Sequence, residues 1–151
     1  MSAIGKRLRL LEDERDILRT MYTYAHAIDY DFEDEFVDCW VEDAVLYWPG
    51  HERLEGRVAI GAAFREHTHA PLTYHKHLVI EPRIRVDGGE AFVDSYYVRL
   101  DAHPDGPKVR SFGRYRDIMV RCPDGRWRFR ERRAESEATI PGLPPSPARA
   151  G

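Results

Sequence analysis

Tyr24-Ala-His-Ala-Ile-Asp29-Tyr-Asp-Phe-Glu-Asp-Glu-Phe-Val-Asp-Cys-Trp40-Val-Glu-Asp43 is the stretch whose reading decides the fold. It joins the end of a long helix to a second, shorter one. Leu18, Tyr22, Ala25 and Asp29 recur at i, i+4, i+7 and i+11, the spacing of one helix face. Asp29 therefore continues a stripe otherwise fit for a core. A carboxylate there is either an acid/base group in an apolar pocket or a charge on a fraying last turn.

Working outward, the spacing predicts a first helix over residues 5–30, with Leu8, Leu11, Leu18 and Ala25 in one row and Ile17, Met21 and Ile28 beside it. A second helix is expected over 32–41, carrying Phe36 and Trp40 at i, i+4. Ala44–Trp48 reads as a short strand stopped by Pro49-Gly50, and His51–Gly56 as a loop. A third helix follows Gly56 and ends near His69, before Pro71. Strands are expected at 74–86, 90–101, 109–121 and 126–138, separated by Asp87-Gly88-Gly89, His103–Pro107 and Pro123-Asp124-Gly125. Helices first and an antiparallel meander afterwards predict an α+β domain, with the helices packed on one curved sheet. The domain is expected over 1–140, with 141–151 as a Pro- and Gly-rich tail.

The 151 residues suffice for one domain with a substantial core. A net charge of −3 argues against nucleic acid as a partner, since phosphate binding needs a basic field. No apolar run approaches the roughly 20 residues that span a bilayer, and the N-terminal residues lack the apolar run of a signal peptide. No membrane partner and a cytoplasmic location are the expectations. Cys39 and Cys122 fit neither a metal spacing nor a disulfide framework and read as reduced packing residues. Asn and Gln are absent from the chain, so polar chemistry falls to carboxylates, His, Tyr, Ser/Thr, Arg or the backbone.

His67, His69, His75 and His77 crowd one short region, and in a strand His75 and His77 share a face. An imidazole beside a carboxylate is a usable general base, because it titrates near pH 6.5 and the carboxylate fixes its tautomer. In the last strand, strict alternation puts Trp127, Phe129, Glu131 and Arg133 on one face and Arg126, Arg128, Arg130 and Arg132 on the other. Arg133 then points to a cavity mouth, where it would bind an anionic group, or else pairs with Glu131 or Glu135. The even-numbered arginines read as a solvated or partner-facing surface.

These residues in this order carry a resemblance. A helix ending Tyr24…Ile28-Asp29 is followed by Trp40…Asp43-Ala44, Gly56 before a helix, and His77 near the start of a strand reaching Val86-Asp87-Gly88. Gly113-Arg114-Tyr115-Arg116-Asp117 then precedes Asp124-Gly125-Arg126-Trp127. The order resembles the SnoaL-like branch of the nuclear-transport-factor-2-like superfamily, the group of scytalone dehydratase, bile-acid 7α-dehydratase and the lindane dehydrochlorinase. The resemblance implies a cone of curved antiparallel sheet closed by helices around one apolar pocket. It implies an Asp29–His77 dyad that removes a proton, with Tyr24 polarising a substrate oxygen. It implies no cofactor, no metal, a small hydrophobic hydroxylated cyclic or polyketide-like substrate, and a homo-dimer or homo-trimer. Arg133, Trp40, Tyr47, Trp48, Phe64, Tyr97 and Tyr115 are the expected substrate-binding residues, with Tyr22 and Phe36 beside them.

Three other readings stay open. His75, His77 and Glu81 match half of a cupin metal signature. The same fold also serves as a structural subunit or ligand-binding module. Isomerase or cyclase chemistry would start from the same proton abstraction as a dehydratase.

Overall fold

The computed structural model describes residues 1–141. The expected tail therefore lies, beyond Pro141, outside the described residues. The element order is α1 (Ala3–Tyr30), α2 (Glu33–Asp38), β1 (Trp40–Tyr47), β2 (Leu54–Glu55), α3 (Arg57–Glu66), β3 (His75–Asp87), β4 (Glu90–His103), β5 (Gly106–Arg121) and β6 (Trp127–Thr139). The helices pack on one six-stranded sheet of order β2-β1-β6-β5-β4-β3. No helix of the described residues is long and apolar enough to cross a membrane.

The Ser2 hydroxyl caps α1 by accepting from the Gly5 N–H at 3.0 Å. Asp31 ends the helix in a left-handed conformation (φ 64°), one that Asp tolerates better than most side chains. Ile17, Met21, Ala25 and Ile28 are buried as expected, with Tyr24 among them, whereas Leu8, Leu11 and Tyr22 are exposed. The first half of α1 docks through acids instead. Trp127 donates from its indole to Asp13 (3.0 Å) and from its backbone to Asp16 (2.8 Å), and Arg121 pairs with Asp13.

The second helix stops at Asp38, so Trp40 opens a strand and does not close a helical turn. It still reaches the core, with its ring 5.0 Å from Phe129. β1 runs parallel to β6, the one departure from an antiparallel sheet, and the expected 51–56 loop contains the two-residue β2 that pairs with β1. β3 to β6 form the expected meander.

Register shifts interrupt this meander at Ile80/Arg83, Arg99/Leu100, Phe112/Gly113 and Ile118/Met119. Each bulge adds twist and bends its strand, which curves the sheet around a cavity. At Gly113 the strands approach so closely that a Cβ would lie 1.9 Å from the Glu135 carbonyl oxygen, so only glycine fits.

The bulge at Ile118/Met119 overturns the reading of β6. Ile118 pairs with Glu131 and Met119 with Phe129, leaving Arg130 as the extra residue. One added residue inverts the alternation beyond it. Arg132 points inward and is wholly buried, whereas Arg133 points outward, packs over the Tyr47 ring at 4.0 Å and lies 3.4 Å from Glu131. Arg133 and Tyr47 are therefore outside residues, and neither is among the described residues lining the cavity beside His77.

Candidate functional site

Asp29 sits in the last turn of α1, buried to 4% exposure, beneath the start of β3. A helix C-terminus is a poor place for a negative charge. Three donors offset that cost. His77 donates from Nδ1 to Oδ1 at 2.7 Å and from its backbone N–H to Oδ2 at 3.1 Å, and His75 meets Oδ1 through its own Nδ1 at 2.8 Å. Burial alone would raise the Asp29 carboxyl. Hydrogen bonds from His75 and His77 outweigh it and bring the pKa to about 2.

The two histidines share a face, as strand alternation requires, but they are not equivalent. His75 gives its second nitrogen to the Thr68 carbonyl at 2.7 Å, so neither ring atom is left for a ligand. His77 uses only Nδ1 on Asp29 and lines the cavity, which leaves Nε2 for a bound molecule. Its pKa is lowered, first by burial, with the nearby His75 and Arg99 adding to it against the opposing pull of Asp29. The ring is therefore neutral at pH 7, the form a base needs.

The cavity has a volume of about 390 Å³. Tyr24, Trp48, Tyr97 and Tyr115 form its aromatic wall, with Tyr97 and Tyr115 stacked at 4.7 Å. Tyr24 accepts from the Trp48 indole N–H at 2.9 Å, which leaves its own hydroxyl proton to donate elsewhere. Burial raises its pKa, against the lowering effect of Arg132 beneath it, so the phenol stays protonated.

Of the expected residues, Asp29, His77, Tyr24, Trp48, Tyr97 and Tyr115 therefore converge here. Trp40 and Phe64 do not. They are fully buried behind the wall, Phe64 tilted against Phe36 (4.5 Å) and stacked on His69 (4.3 Å). Phe36 is core and Tyr22 is exposed. His69 ties α1 to α3, its two nitrogens 2.6 Å from the Ile28 carbonyl and 2.8 Å from that of Phe64.

Sequence reasoning missed Arg99 and Arg110 as lining residues. Arg99 was legible: it lies two residues beyond Tyr97 on the same strand and so on the same face. It also missed the engagement of His75 by Asp29 and the inward position of His67. His67 lines the cavity, and its buried Nε2 has no hydrogen-bond partner. Burial and the neighbouring His75, His77 and Arg99 lower its pKa to about 3.

The cupin-like set does not form, because Glu81 is exposed on the bulge of edge strand β3, with φ 50°. His67 takes its place. Ligand atoms of His67, His75 and His77 lie within 4.8 Å of one another. A cation bound through the Nε2 atoms would have to draw His75 away from the Thr68 carbonyl.

A model of the SnoaL-like domain family matches residues 9–133. No curated protein matches the chain. Among solved structures, the chain is similar to a protein from Novosphingobium aromaticivorans described as NTF2-like with a cystatin-like fold. The two are 25% identical over 93% of this chain and 92% of that one, with a TM-score of 0.82. It is also similar to a Mycobacterium tuberculosis protein of unknown function (25% identity, 86% and 79% coverage, TM-score 0.77). A third is a Catenulispora acidiphila protein solved in complex with S-DNPA (26% identity, 82% and 92% coverage, TM-score 0.73).

Proposed function

The chain belongs to the SnoaL-like family, and from that premise we propose that it is a cofactor-free lyase performing a dehydratase-type elimination. Its substrate is a small, hydrophobic, hydroxylated cyclic or polyketide-like molecule. The observation that carries the reading is the 2.7 Å hydrogen bond from His77 to a buried Asp29 at the wall of an aromatic cavity. The complex of the C. acidiphila relative with S-DNPA is consistent with a ligand-binding pocket.

In this mechanism Nε2 of His77 takes a proton from a substrate carbon. The C–H electron pair becomes the new carbon–carbon double bond, and the hydroxyl on the neighbouring carbon departs as water. Asp29 holds the tautomer that exposes Nε2 and stabilises the imidazolium as it forms. Tyr24 protonates the departing oxygen, and His77 then returns a proton to the phenolate. Aromatic walls exclude bulk water and keep the base unsolvated. Returning the proton to a different carbon instead would give isomerisation in the same pocket.

The test is mass spectrometry of products from a panel of hydroxylated bicyclic ketones in deuterated water. Loss of water that disappears in His77→Ala is expected. Full turnover in that folded variant would overturn the base assignment, and a product that has lost no water but gained one deuterium on carbon would replace elimination by isomerisation.

We place the protein in the cytoplasm, consistent with Cys39 and Cys122 being free thiols. We also propose a homo-dimer or homo-trimer over the outer sheet face, where Leu78, Tyr96 and Phe112 are exposed. Light scattering of Phe112→Glu against the wild type tests it: a smaller particle is expected, and a monomeric wild type would end the idea.

A further inference from the structure

We infer that the mouth of the cavity is a carboxylate-binding subsite built by Arg99 and Arg110, so that the molecule bound here is an aromatic or polycyclic acid rather than a neutral compound. The inference rests on reading the cavity as a substrate pocket, and it narrows the class of substrate.

Among the described residues lining the cavity, two are arginines and none is a carboxylate. The backbone puts both arginines there. Arg99 is the cross-strand partner of His77 on one side and of Ser111 on the other. Directly paired residues share a sheet face, with Cβ atoms about 5 Å apart, so Arg99 and the base look into the same space. Arg110 arrives by a different route. Arg99 pairs with Ser111 and Leu100 with Val109, so Arg110 is the extra residue of a bulge, the device that re-aims a side chain. Without that bulge Arg110 and Ser111 would face opposite ways; with it, both line the cavity.

Asp101 holds the two guanidiniums in place. It accepts from Arg99 Nε at 2.8 Å, and Arg110 Nη1 lies 3.6 Å from its other oxygen. Both guanidiniums border the cavity with Asp101 between them; that carboxylate is only 12% exposed, while the arginine side chains keep 26% and 27% of their surface open. Partly exposed guanidiniums over a low-dielectric wall suit a planar oxyanion, which they can hold through paired N–H donors. The Ser111, Ser136 and Thr139 hydroxyls lie along the same wall. The adjoining surface is the Tyr97–Tyr115 stack, so the anion belongs to a molecule with a flat apolar body. Asp29 bears on His77 from the helix side, Arg99 from the neighbouring strand, and His67 and His75 from the segment leading into β3 and from its first residue.

The test is calorimetric binding of 6-hydroxy-2-naphthoate and of 6-hydroxy-2-naphthamide, which share a shape and differ by one charge. The wild type should bind the acid about tenfold more tightly than the amide. That preference should shrink with rising ionic strength and fall below about threefold in Arg99→Gln and Arg110→Gln. His77→Ala should keep it, because the base is not the anchor. Equal binding of acid and amide by the wild type overturns the subsite without needing any variant to fold. Acid preference that survives both arginine substitutions, or that vanishes in His77→Ala alone, overturns it as well. Inorganic phosphate binding as tightly as the naphthoate would overturn the organic-acid class. If the elimination reading fails and no product forms, the acid preference still stands or falls on its own.

Discussion

Two buried carboxylates, Asp29 and Asp117, have opposite fates in this fold. Asp29 ends a helix, is held by two imidazoles and a backbone N–H, and has its pKa lowered to about 2. Asp117 lies in mid-sheet, accepts from Arg132 Nε at 2.8 Å and Nη2 at 2.9 Å, and has its pKa raised by complete burial in spite of the arginine. The Arg132 guanidinium is sandwiched among the rings of Tyr115 (3.7 Å), Tyr24 (4.4 Å) and Phe129 (4.4 Å). One carboxylate connects through His77 to a cavity; the other is sealed. The difference lies in the partner. An imidazole has a second nitrogen to present elsewhere, whereas the Arg132–Asp117 pair spends its fork on the carboxylate and its face on the rings.

The comparison breaks most sharply at the base. Asp29→Asn and His77→Ala are expected to fold and to lose turnover by about a thousandfold on a verified substrate. His75→Phe should lose less, since His75 has no nitrogen for the substrate. Comparable losses in all three would erase the distinction between the histidines.

Opening the sealed pair acts on stability instead. Arg132→Met leaves Asp117 buried and unpaired, and denaturant melts should register a loss of about 3–5 kcal/mol. The double variant Arg132→Met, Asp117→Leu should recover much of it, because two matched apolar groups bury without a stranded charge. A double variant no better than the single one would show that the pair contributes more than charge balance. Gly113→Ala, which forces β5 and β6 apart, should cost about 2 kcal/mol or more in the same assay; an unchanged midpoint would mean that the strands separate freely.

Acid separates the two regions next. Burial lowers the pKa of both His67 and His77, the His67 ring to about 3, while unfolded imidazoles titrate near 6.5. The unfolded chain therefore binds more protons between those values, so stability falls as pH drops from 6.5 toward 3. Asp29 adds a second loss, fully present as stabilisation above pH 3.8 and removed as pH falls through about 2. His67→Phe should flatten the slope between pH 6.5 and 3; an unchanged slope in thermal melts would exclude His67 as its source. The smallest effect is expected at the exposed Arg133: Arg133→Ala should shift stability by under about 0.5 kcal/mol and leave turnover alone.

Much of this was legible beforehand, for specific reasons. The meander strands follow from alternation punctuated by Gly- and Pro-bearing turns. Asp29 was conspicuous because a charge interrupted an apolar stripe, and His77 because it shares a strand face with His75. The N-terminal half of α1 misled: Leu8 and Leu11 obey helical spacing, yet among the described residues no element covers them, and periodicity says only which residues share a face. Trp40 misled through i, i+4 spacing to Phe36, although the helix had already ended at Asp38.

Local order in the chain thus determined the elements, the turn positions and the helix-end carboxylate, because these depend on periods of 3.6 and 2 and on the backbone preferences of neighbouring residues. What lay beyond it was decided by pairing between strands. A bulge is a mismatch between two partners, and neither strand alone announces it. The extra residue at Arg130 buried Arg132 and expelled Arg133, and the extra residue at Arg110 turned a second guanidinium into the cavity. The charge of the pocket was written in tertiary register, since inserting one residue inverts every side chain that follows it.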